Sequence, residues 1–274
     1  MVLKPRVKAP SPELIGKTQT VLDRHSLHTI CISAKCPNIV ECFSRGTATF
    51  MILGNICTRR CRFCNVFHGK PQEIDETEPT RIAKAVKEMG LSYVVITSVD
   101  RDDLSDFGSD QFYAVCQAIQ KENPYTKVEL LTPDFQGNKK AVQKVIDANP
   151  YKLAHNIETV EPLFKRIKSA GSYKRSLEVL ETYTTSGIKT KSSVMVGLGE
   201  TKRDLIRSFQ DLVQAGVSQL TIGQYLQPSS SNAKVQKYYT QEEFDELAHL
   251  AKECGIEHVI SGILVRSSYY ADLY

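Results

Sequence analysis

Short apolar runs alternate with helical patterns from residue 48 onward. The runs are rich in β-branched and aromatic residues, which favours strands, and the segments between them repeat apolar residues at helical spacing. The predicted strands are 48–54, 93–98, 127–132, 152–157, 190–198 and 219–226. The predicted helices lie near 80–89, 109–122, 139–148, 160–186 (read as two helices), 202–214 and 240–254. A short strand over 258–264 is predicted after the last helix.

Local signals mark the ends of several of these helices. Gly90 and Gly216 follow the helices predicted near 80–89 and 202–214, and glycine is common directly after a helix, where a positive φ is needed. Thr240 with Glu243 three residues later forms a capping-box pattern. This pattern predicts that the last helix begins at Thr240.

Six strand–helix units in series predict a parallel sheet that curls into a partial or complete barrel. Functional loops in such folds follow the C-terminal ends of the strands. The barrel is predicted over residues 48–255. Residues 1–47 are predicted to form an N-terminal extension and residues 256–274 a C-terminal tail, and both are placed to cover the ends of the barrel.

Composition narrows the classes of function. The 274 residues suffice for one substantial core, and 41% hydrophobic with 24% charged residues are typical of a globular chain. The formal net charge of +4 is mild, and no basic stripe with interleaved aromatic residues indicates nucleic-acid binding. No apolar run approaches the roughly 18 residues that a membrane span needs, and the basic N-terminus lacks the apolar core of a secretory signal. We therefore expect no nucleic acid and no membrane as partner.

Six of the eight cysteines fall into two triplets. The triplets are Cys31-x4-Cys36-x5-Cys42 and Cys57-x3-Cys61-x2-Cys64. Thiolates this close in sequence cannot all pair as disulfides without strain, but they can converge on a metal or a cluster. Three cysteines leave one iron of a cubane cluster without a protein thiolate, and an open position is where a metal site performs chemistry. Because thiolate ligands need a reducing compartment, the cytoplasm is the expected location.

A structural zinc site is the alternative for each triplet. The second triplet would need a fourth zinc ligand, for which His68 is available, but its spacing is not typical of zinc. The first triplet, taken alone, leaves zinc and an iron–sulfur cluster equally open. The remaining cysteines, Cys116 and Cys254, stand in helical segments, where a buried structural thiol is expected.

The second triplet, with Phe63 before its last cysteine, resembles the signature of the radical S-adenosylmethionine (SAM) superfamily. The first triplet and the tail Arg266-Ser-Ser-Tyr-Tyr-Ala271 are similar to the lipoyl synthase family within it. Further similar segments are 48–54, 97–104, 195–200 and 223–228, and the resemblance covers roughly residues 25–274. It implies an α/β fold with a partial (β/α)6 parallel barrel of radical SAM type, carrying N- and C-terminal extensions.

The resemblance implies an enzyme that inserts two sulfur atoms, at C6 and C8 of an octanoyl chain bound to a lysine of a carrier protein. The second triplet would hold a [4Fe–4S] cluster whose remaining iron binds SAM. The first triplet would hold an auxiliary [4Fe–4S] cluster that donates sulfur. By the same resemblance, Ser268 in the tail is the remaining ligand of the auxiliary cluster and the predicted catalytic residue, with Ser267 as the alternative.

Cofactor contacts follow from the resemblance as well. The predicted SAM-binding residues are Phe63, Thr97, Ser98, Asn156, Glu158, Gly197 and Gly199. The Thr-Ser pair resembles the segment that receives the methionyl amino group, and the Asn and Glu resemble ribose and substrate contacts. The two glycines would let the main chain approach the adenine, since glycine lacks Cβ.

Two groups of charged residues, one interleaved with the second triplet and one after the strand predicted over 93–98, each have two possible uses. They are Arg59, Arg60, Arg62, Asp100, Asp102 and Asp103. The arginines would offset the negative charge of a cluster or form a solvated face. The aspartates could act as acid–base groups, but carboxylates after a strand are more commonly helix caps or salt-bridge partners.

The resemblance also implies partner proteins. The expected carriers are octanoylated lipoyl domains, such as the glycine-cleavage H protein or the acyltransferase subunits of 2-oxoacid dehydrogenases. A flavodoxin or ferredoxin would supply electrons, and cluster-assembly proteins would rebuild the auxiliary cluster. The alternatives are another radical SAM enzyme that inserts sulfur into a free small molecule or a tRNA base, and a zinc-stabilised binding module without turnover.

The chain departs from the family pattern at two places. A double glycine usually follows the segment 101–104, and this chain has Phe107-Gly108 after Asp106. An arginine followed by proline usually precedes Tyr173, and Lys168-Ser169 stand there instead. We expect both departures to alter loop geometry and not to touch ligands.

Overall fold

A computed structural model of the chain describes residues 12–44 and 48–271. These residues form two compact units. The N-terminal unit comprises residues 12–44, 48–59, 66–153 and 270–271, and the C-terminal unit comprises 60–65 and 154–269. The second cysteine triplet is divided between them, with Cys57 in the N-terminal unit and Cys61 and Cys64 in the C-terminal unit.

The N-terminal unit starts with the helices of the predicted extension. Its elements begin with α1 (Pro12–Arg24), β1 (His28–Thr29), α2 (Ile30–Ser33) and α3 (Ile39–Ser44). They continue with β2 (Thr49–Ile52), β3 (Ile56–Cys57), β4 (Phe67–His68), α4 (Glu78–Glu88), β5 (Tyr93–Ser98), α5 (Ser109–Glu122), β6 (Lys127–Leu131), a 3-10 turn (Phe135–Gly137) and α6 (Lys139–Asp147). Strand β1 pairs antiparallel with β2, whereas β2 with β5 and β5 with β6 pair in parallel. Strands β3 and β4 form a separate parallel ladder.

The C-terminal unit repeats the strand–helix alternation. Strand β7 (Lys152–Ala154) lies where the two units meet in the sequence. The elements that follow are α7 (Glu161–Ile167), α8 (Tyr173–Thr185), β8 (Lys189–Val196), α9 (Lys202–Gln214), β9 (Gln219–Gln224), α10 (Gln241–Glu253) and β10 (His258–Gly262). Strand β9 pairs in parallel with β8 on one side and β10 on the other. The predicted α/β class with parallel strands is confirmed.

The six predicted strands are all present, although most are shorter than predicted. Strand β7 ends at Ala154, and Glu158, four residues later, adopts a φ of 67°. Strand β8 ends at Val196 because Gly197 takes a φ of 102°. The region 160–186 contains two helices, as predicted, and the capping box at Thr240 and Glu243 is confirmed.

Buried apolar side chains from strands and helices form the core of the C-terminal unit. Val194, Leu220 and Ile222 of the sheet pack in one cluster with Phe209 of α9 and Phe244 of α10. Each of these five side chains is essentially inaccessible to solvent, and burying one contributes roughly 1.5–3 kcal/mol to stability. Within the described residues, no helix is both long enough and apolar enough to cross a membrane.

Threonine hydroxyls hold the helices of the N-terminal extension together and attach it to the sheet. Thr29 Oγ1 donates to the carbonyl of Thr49 in β2 at 2.8 Å and accepts from the amide of Cys31 at 3.2 Å. Thr18 Oγ1 of α1 donates to the carbonyl of Phe43 in α3 at 3.1 Å. No element was predicted from the sequence over 1–47, so α1 to α3 and β1 are additions. Residues 1–11 and 45–47 of the predicted extension, and 272–274 of the predicted tail, lie outside the described residues.

Candidate metal centre and cofactor site

The first cysteine triplet lies in one segment of the N-terminal unit. Cys31 is buried in α2, and the amide of Cys36 donates to the Cys31 carbonyl at 2.9 Å. Cys42 lies in α3, where its amide donates to the carbonyl of Asn38 at 2.9 Å. Short helices thus carry Cys31 and Cys42, and the turn between them carries Cys36. All eight cysteines of the chain fall within the described residues, and none of them forms a disulfide.

Cys57 ends β3 with its sulfur held by main-chain amides. The sulfur accepts from the amide of Arg59 at 3.4 Å and from the amide of Asp100 at 3.3 Å. Its thiol donates to Asp100 Oδ2 at 3.7 Å. Amide donors around a sulfur stabilise the thiolate form and tune the potential of a cluster bound to it. The surroundings of Cys57 therefore suit a cluster ligand.

Thr58 joins the Cys57 loop to the loop that follows β5. Its amide and hydroxyl both donate to the carbonyl of Asp100, at 3.0 and 2.9 Å. Its hydroxyl oxygen accepts from the amide of Asp102 at 3.0 Å. These bonds explain why a cysteine at the end of a two-residue strand keeps a defined position.

Arg59 is buried against three carboxylates that follow β5 and β6. Its guanidinium forms two bonds of 2.7 Å with Asp102, lies 2.7 Å from Asp134 and 3.1 Å from Asp100. Burial by itself lowers the pKa of Arg59, but the hydrogen bond with Asp102 and the charges of Asp100 and Asp134 outweigh it and raise the pKa overall. Arg59 is therefore fixed in its charged form and neutralises carboxylates, so its charge is not available to offset a cluster.

The remaining charged neighbours behave as the sequence indicated. Asp103 forms hydrogen bonds of about 2.9 Å with Arg101, and that pair holds the pKa of Asp103 below its usual value. Arg60 and Arg62 are exposed, which confirms a solvated face for these two arginines. The use of the aspartates as salt-bridge partners is confirmed for Asp102 and Asp103.

Cys61 and Cys64 lie on a loop that the C-terminal unit holds by its main chain. The amide of Arg62 donates to the carbonyl of Ile167 at 2.9 Å, and the carbonyl of Arg62 accepts from the amide of Ala233 at 2.8 Å. Asn232 Nδ2 donates to the carbonyl of Cys64 at 2.8 Å. Phe63 packs against a buried cluster that includes Ile167 and Ala233. One aromatic anchor and three hydrogen bonds thus position the two cysteines.

Ser98, at the end of β5, has the properties expected of a ligand contact. Its hydroxyl oxygen is buried and makes no hydrogen bond to the protein in the described part of the chain. Buried polar atoms in folded proteins nearly always have a partner, so such an atom fits a bound group. Its neighbour Thr97 is already engaged, because its hydroxyl donates to the carbonyl of Leu131 at 2.9 Å.

Asn156 and Glu158 follow β7 in the C-terminal unit. Asn156 Nδ2 donates to Glu158 Oε1 at 3.0 Å, and the buried Asn156 Oδ1 has no hydrogen-bond partner over the described residues. Burial raises the pKa of Glu158, and the charge of Lys168 and the bond from Asn156 oppose this effect. The amide and carbonyl of Glu158 bond to β8, through Ser193 and Met195 at 3.0 and 2.9 Å. The unsatisfied amide oxygen again fits a ligand contact.

Gly197 and Gly199 both have φ values in the left-handed region, 102° and 106°. A Cβ at Gly197 would overlap the side-chain amide of Gln224 and the carbonyl of Lys237. Glu200 closes this loop, accepting from the amides of Gly197 and Leu198 at 2.6 and 2.9 Å. Packing within the unit therefore accounts for Gly197, and the adenine contact of both glycines stays a prediction.

Ser268 lies in the turn that follows β10. The turn is closed by the amide of Tyr269, which donates to the carbonyl of Arg266 at 3.0 Å, and the Ser268 side chain is partly exposed. The carbonyl of Ser267 accepts from Lys191 Nζ at 2.7 Å. In the N-terminal unit, Tyr270 Oη donates to Glu41, the residue before Cys42. The tail is thus held on both sides of the predicted serine ligand.

Two departures from the family pattern have structural consequences. Phe107 takes a φ of 57°, where glycine would be unstrained. Lys168 caps the end of α7, and its Nζ donates to the carbonyl of Asn156 at 3.3 Å. Lys168 thus contacts the main chain of a predicted cofactor-binding residue, and the expectation that neither departure touches a ligand stays a prediction.

The donor set fits iron–sulfur clusters and a polar cofactor. Among the described residues, no three His, Cys, Asp or Glu side chains converge as the ligands of a single metal ion do. A cubane does not need that arrangement, because each of its cysteines binds a different iron. Thiolates are the ligands that iron–sulfur clusters require, and His68, proposed above as a zinc ligand, is exposed.

Sequence reasoning missed four residues around these segments. They are Glu41, Lys191, Glu200 and Tyr270. Only Lys191 carried a signal, since a lysine inside the apolar strand 190–198 is unusual and buried lysines are nearly always paired. Glu200 and Tyr270 lie in segments whose resemblance was noted, 195–200 and 266–271, but no role was predicted for either side chain. Glu41 lies in an ordinary polar segment, and its partner Tyr270 is distant in the sequence.

Comparison with known proteins gives consistent results. Residues 51–212 match the family model described as the radical SAM superfamily. The lipoyl synthase of Parabacteroides distasonis is 48% identical over 97% of this chain and 95% of that protein. The lipoyl synthase of Rubrobacter xylanophilus is 52% identical over 90% of this chain and 77% of that protein.

Solved structures show the same fold at low sequence identity. The crystal structure of Streptococcus suis SuiB bound to S-adenosylmethionine is similar with a TM-score of 0.59 and 13% identity. The similarity covers 79% of this chain and 51% of that chain. This structural likeness supports the radical SAM type of fold and nothing more specific.

Proposed function

The chain belongs to the lipoyl synthase family of the radical SAM superfamily, and on that premise we propose how its residues divide the work. The reaction is the radical insertion of two sulfur atoms, at C6 and C8 of a protein-bound octanoyl-lysine, to give the lipoyl cofactor. The observation that carries the assignment is the pair of cysteine triplets on a radical SAM fold whose relatives at high coverage are lipoyl synthases. One triplet serves radical formation and the other serves sulfur donation.

Cys57, Cys61 and Cys64 hold the cluster that binds SAM. When bound, the cluster and SAM supply the radical chemistry that removes hydrogen from unactivated carbon, which no side-chain acid or base can do. The two amide hydrogen bonds to the Cys57 sulfur support this role, since such donors favour the thiolate. The hydrogen-bonded loop at Arg62 gives the other two cysteines a fixed position.

SAM is held by polar atoms at the strand ends. Ser98 Oγ and Asn156 Oδ1 are buried and have no protein partner among the described residues, so each is suited to accept a hydrogen bond from the amino acid or ribose part of SAM. Glu158, whose pKa burial raises, is placed by Asn156 and Lys168. Thr97 bonds to the main chain and supports the position of Ser98.

Cys31, Cys36 and Cys42 hold the auxiliary cluster, with Ser268 as the fourth ligand. A serine oxygen binds iron–sulfur iron less firmly than a thiolate does, which suits a cluster that gives up its sulfide. The hydrogen bond of Tyr270 to Glu41 supports this pairing, because it brings the tail to the helix that carries Cys42. In this assignment residues 1–47 form the auxiliary-cluster extension, 48–255 the radical SAM barrel and 256–274 the tail.

The substrate and partners follow from the reaction. The substrate is an octanoylated lipoyl carrier domain, such as the glycine-cleavage H protein or a 2-oxoacid dehydrogenase acyltransferase. A flavodoxin or ferredoxin donates electrons, and cluster-assembly proteins restore the auxiliary cluster after it has donated sulfur. The reducing environment that the thiolates need favours the cytoplasm as the location of the enzyme.

The proposal is tested with a reconstituted enzyme and two substrates. An octanoyl-lysyl peptide should be converted to the lipoyl product, whereas free octanoic acid at the same concentration should not. The protein should contain about eight iron and eight sulfide per chain, as two [4Fe–4S] clusters require. Equal lipoate yield from the free acid would favour the alternative, an enzyme that acts on a free small molecule. An iron content of about four per chain corresponds to one [4Fe–4S] cluster and would contradict the proposed auxiliary cluster.

A further inference from the structure

Lys191 is a buried residue of the sheet in the C-terminal unit. It belongs to β8, its side chain is only 2% exposed, and its Nζ donates to the carbonyl of Ser267 at 2.7 Å. A buried ammonium group is costly unless it is hydrogen-bonded. Strand β8 therefore directs a charged side chain toward the tail. This side chain contacts Ser267, the residue before the proposed cluster ligand Ser268.

The bond to Ser267 constrains Ser268 more than Ser267 itself. The Ser267 carbonyl belongs to the peptide unit whose nitrogen and next Cα are those of Ser268, and this unit is planar. The bond to the Ser267 carbonyl oxygen holds this unit from one side, and the hydrogen bond from the Tyr269 amide to the Arg266 carbonyl closes the turn around it. Together they fix the direction of the Cα–Cβ bond of Ser268. The position of the Ser268 hydroxyl oxygen then depends only on the χ1 angle.

Gly223 of β9 provides the surface on which this turn rests. A Cβ at Gly223 would overlap the carbonyl oxygen of Val265 and lie 3.3 Å from a guanidinium nitrogen of Arg266. Gly223 does not have a positive φ, so the glycine is needed here for space and not for conformation. The main chain of the tail thus lies directly against the sheet.

We propose that Lys191 is a positioning residue that orients Ser268 toward the auxiliary cluster, an inference that rests on the proposed function. A serine oxygen is a weak ligand for iron–sulfur iron, so a loosely placed hydroxyl would be replaced by water. Holding the peptide unit before the serine reduces the entropy lost on ligation. Lys191 and the space at Gly223 together supply this preorganisation from the two adjacent strands β8 and β9.

The first test isolates the auxiliary cluster. In a chain with Cys57, Cys61 and Cys64 replaced by alanine, only the auxiliary cluster can be reconstituted, and its reduced form is examined by electron paramagnetic resonance. Lys191→Met should shift the spectrum from that of the parent to that of Ser268→Ala. Lys189→Met, an exposed lysine two residues earlier on the same strand, is the matched control and should keep the parent spectrum.

The second test measures product formation and adds Gly223→Ala, a variant that displaces the tail without changing any charge. In the otherwise native chain, Gly223→Ala and Lys191→Met should each lower the yield of lipoyl product per 5′-deoxyadenosine by about 10- to 100-fold, as is typical when a residue that orients a metal ligand is lost. Formation of 5′-deoxyadenosine itself should continue. Gly16→Ala, where a Cβ meets nothing within 4 Å, is the control for the glycine variant.

The outcomes separate this inference from the proposed function. A parent-like spectrum for Lys191→Met, while Ser268→Ala is shifted, would overturn the positioning role and leave the serine ligand intact. An unshifted Ser268→Ala spectrum would overturn the serine ligand and the inference together. If Lys191→Met takes up less iron than Lys189→Met during reconstitution, its spectrum cannot be compared with that of the parent, and the Gly223→Ala variant becomes the deciding test. A native yield of lipoyl product per 5′-deoxyadenosine for Gly223→Ala then refutes the proposal.

Discussion

Tyr270 donates a hydrogen bond to Glu41 across 229 positions of the sequence. Glu41 lies in α3 directly before Cys42, and Tyr270 follows Ser268 by two residues. The bond is therefore a closure that only the folded chain can make. It connects the end of the tail to the helix that carries one of the proposed auxiliary-cluster cysteines.

Replacing Tyr270 with phenylalanine should loosen this closure. A hydrogen bond to a charged group contributes about 1.5–3 kcal/mol, and partial exposure reduces that value, so the free energy of unfolding should fall by about 1 kcal/mol. Urea denaturation of Tyr270→Phe measures this loss. The yield of lipoyl product per 5′-deoxyadenosine should fall as well, because the tail is held on one side only.

Tyr125→Phe is the control for this variant, since Tyr125 is 95% exposed. It should match the native chain in both stability and product ratio. If Tyr270→Phe also matched the native chain in both measurements, the hydrogen bond to Glu41 would have no part in placing the tail.

Alanine substitutions in the two triplets should give different defects. Loss of Cys57, Cys61 or Cys64 removes the proposed SAM-binding cluster, so 5′-deoxyadenosine formation should disappear. Loss of Cys31, Cys36 or Cys42 should leave 5′-deoxyadenosine measurable while lipoyl product disappears. Cys254→Ala, at the C-cap of α10, is the control. The same loss of 5′-deoxyadenosine in both sets would contradict the division of roles.

Much of the fold could be predicted because parallel strands are buried on both faces and appear as continuous apolar runs. Strands such as Tyr93–Ser98 and helices such as Ser109–Glu122 appear where the pattern placed them. The cysteine triplets were visible because ligand spacing is a local property. Glycine and capping signals located helix ends for the same reason.

Contacts between distant residues could not be predicted. Arg59 meets carboxylates that follow two different strands, and nothing in the local sequence indicates that Asp102 and Asp134 reach the same guanidinium. Phe107 takes a left-handed φ of 57°, a conformation that local preference disfavours in a non-glycine residue and that the surrounding fold imposes. Lys168 reaches Asn156 only because α7 ends beside the loop after β7.

Cys116 should behave as a structural thiol and not as a ligand. Burial raises the pKa of Cys116 to about 12, and its thiol donates to the carbonyl of Ala148 at 3.5 Å. Alkylation needs the thiolate, so iodoacetamide at pH 8 should leave Cys116 unmodified in the cluster-free, folded protein. The partly exposed Cys61 and Cys64 should react under the same conditions.

The burial of Cys116 also gives the stability of the folded state a pH dependence of defined direction. Because burial raises the folded-state pKa of Cys116 above the ordinary thiol value of 9.0, the neutral thiol stabilises the folded state fully below about pH 9. That contribution falls as the pH rises through the window from about 9 to 12. Peptide mass mapping should show Cys116 modified at pH 8 only after urea unfolding. Modification of the folded protein at the rate of Cys61 would contradict its burial.

Arg59 should be essential for the loop that carries Cys57. In Arg59→Ala, three carboxylates remain without their shared guanidinium, and Asp134 is completely buried. Removing one partner of a buried ion pair costs about 3–5 kcal/mol, because the other charge is left uncompensated. The free energy of unfolding of the cluster-free variant, measured by urea denaturation, should therefore fall by about this amount. Iron uptake at the Cys57 triplet should fall as well.

Arg60→Ala is the matched control, since Arg60 is the next residue and is exposed. It should change the free energy of unfolding by less than about 0.5 kcal/mol. Equal stability of the two variants would show that the buried carboxylates do not depend on Arg59.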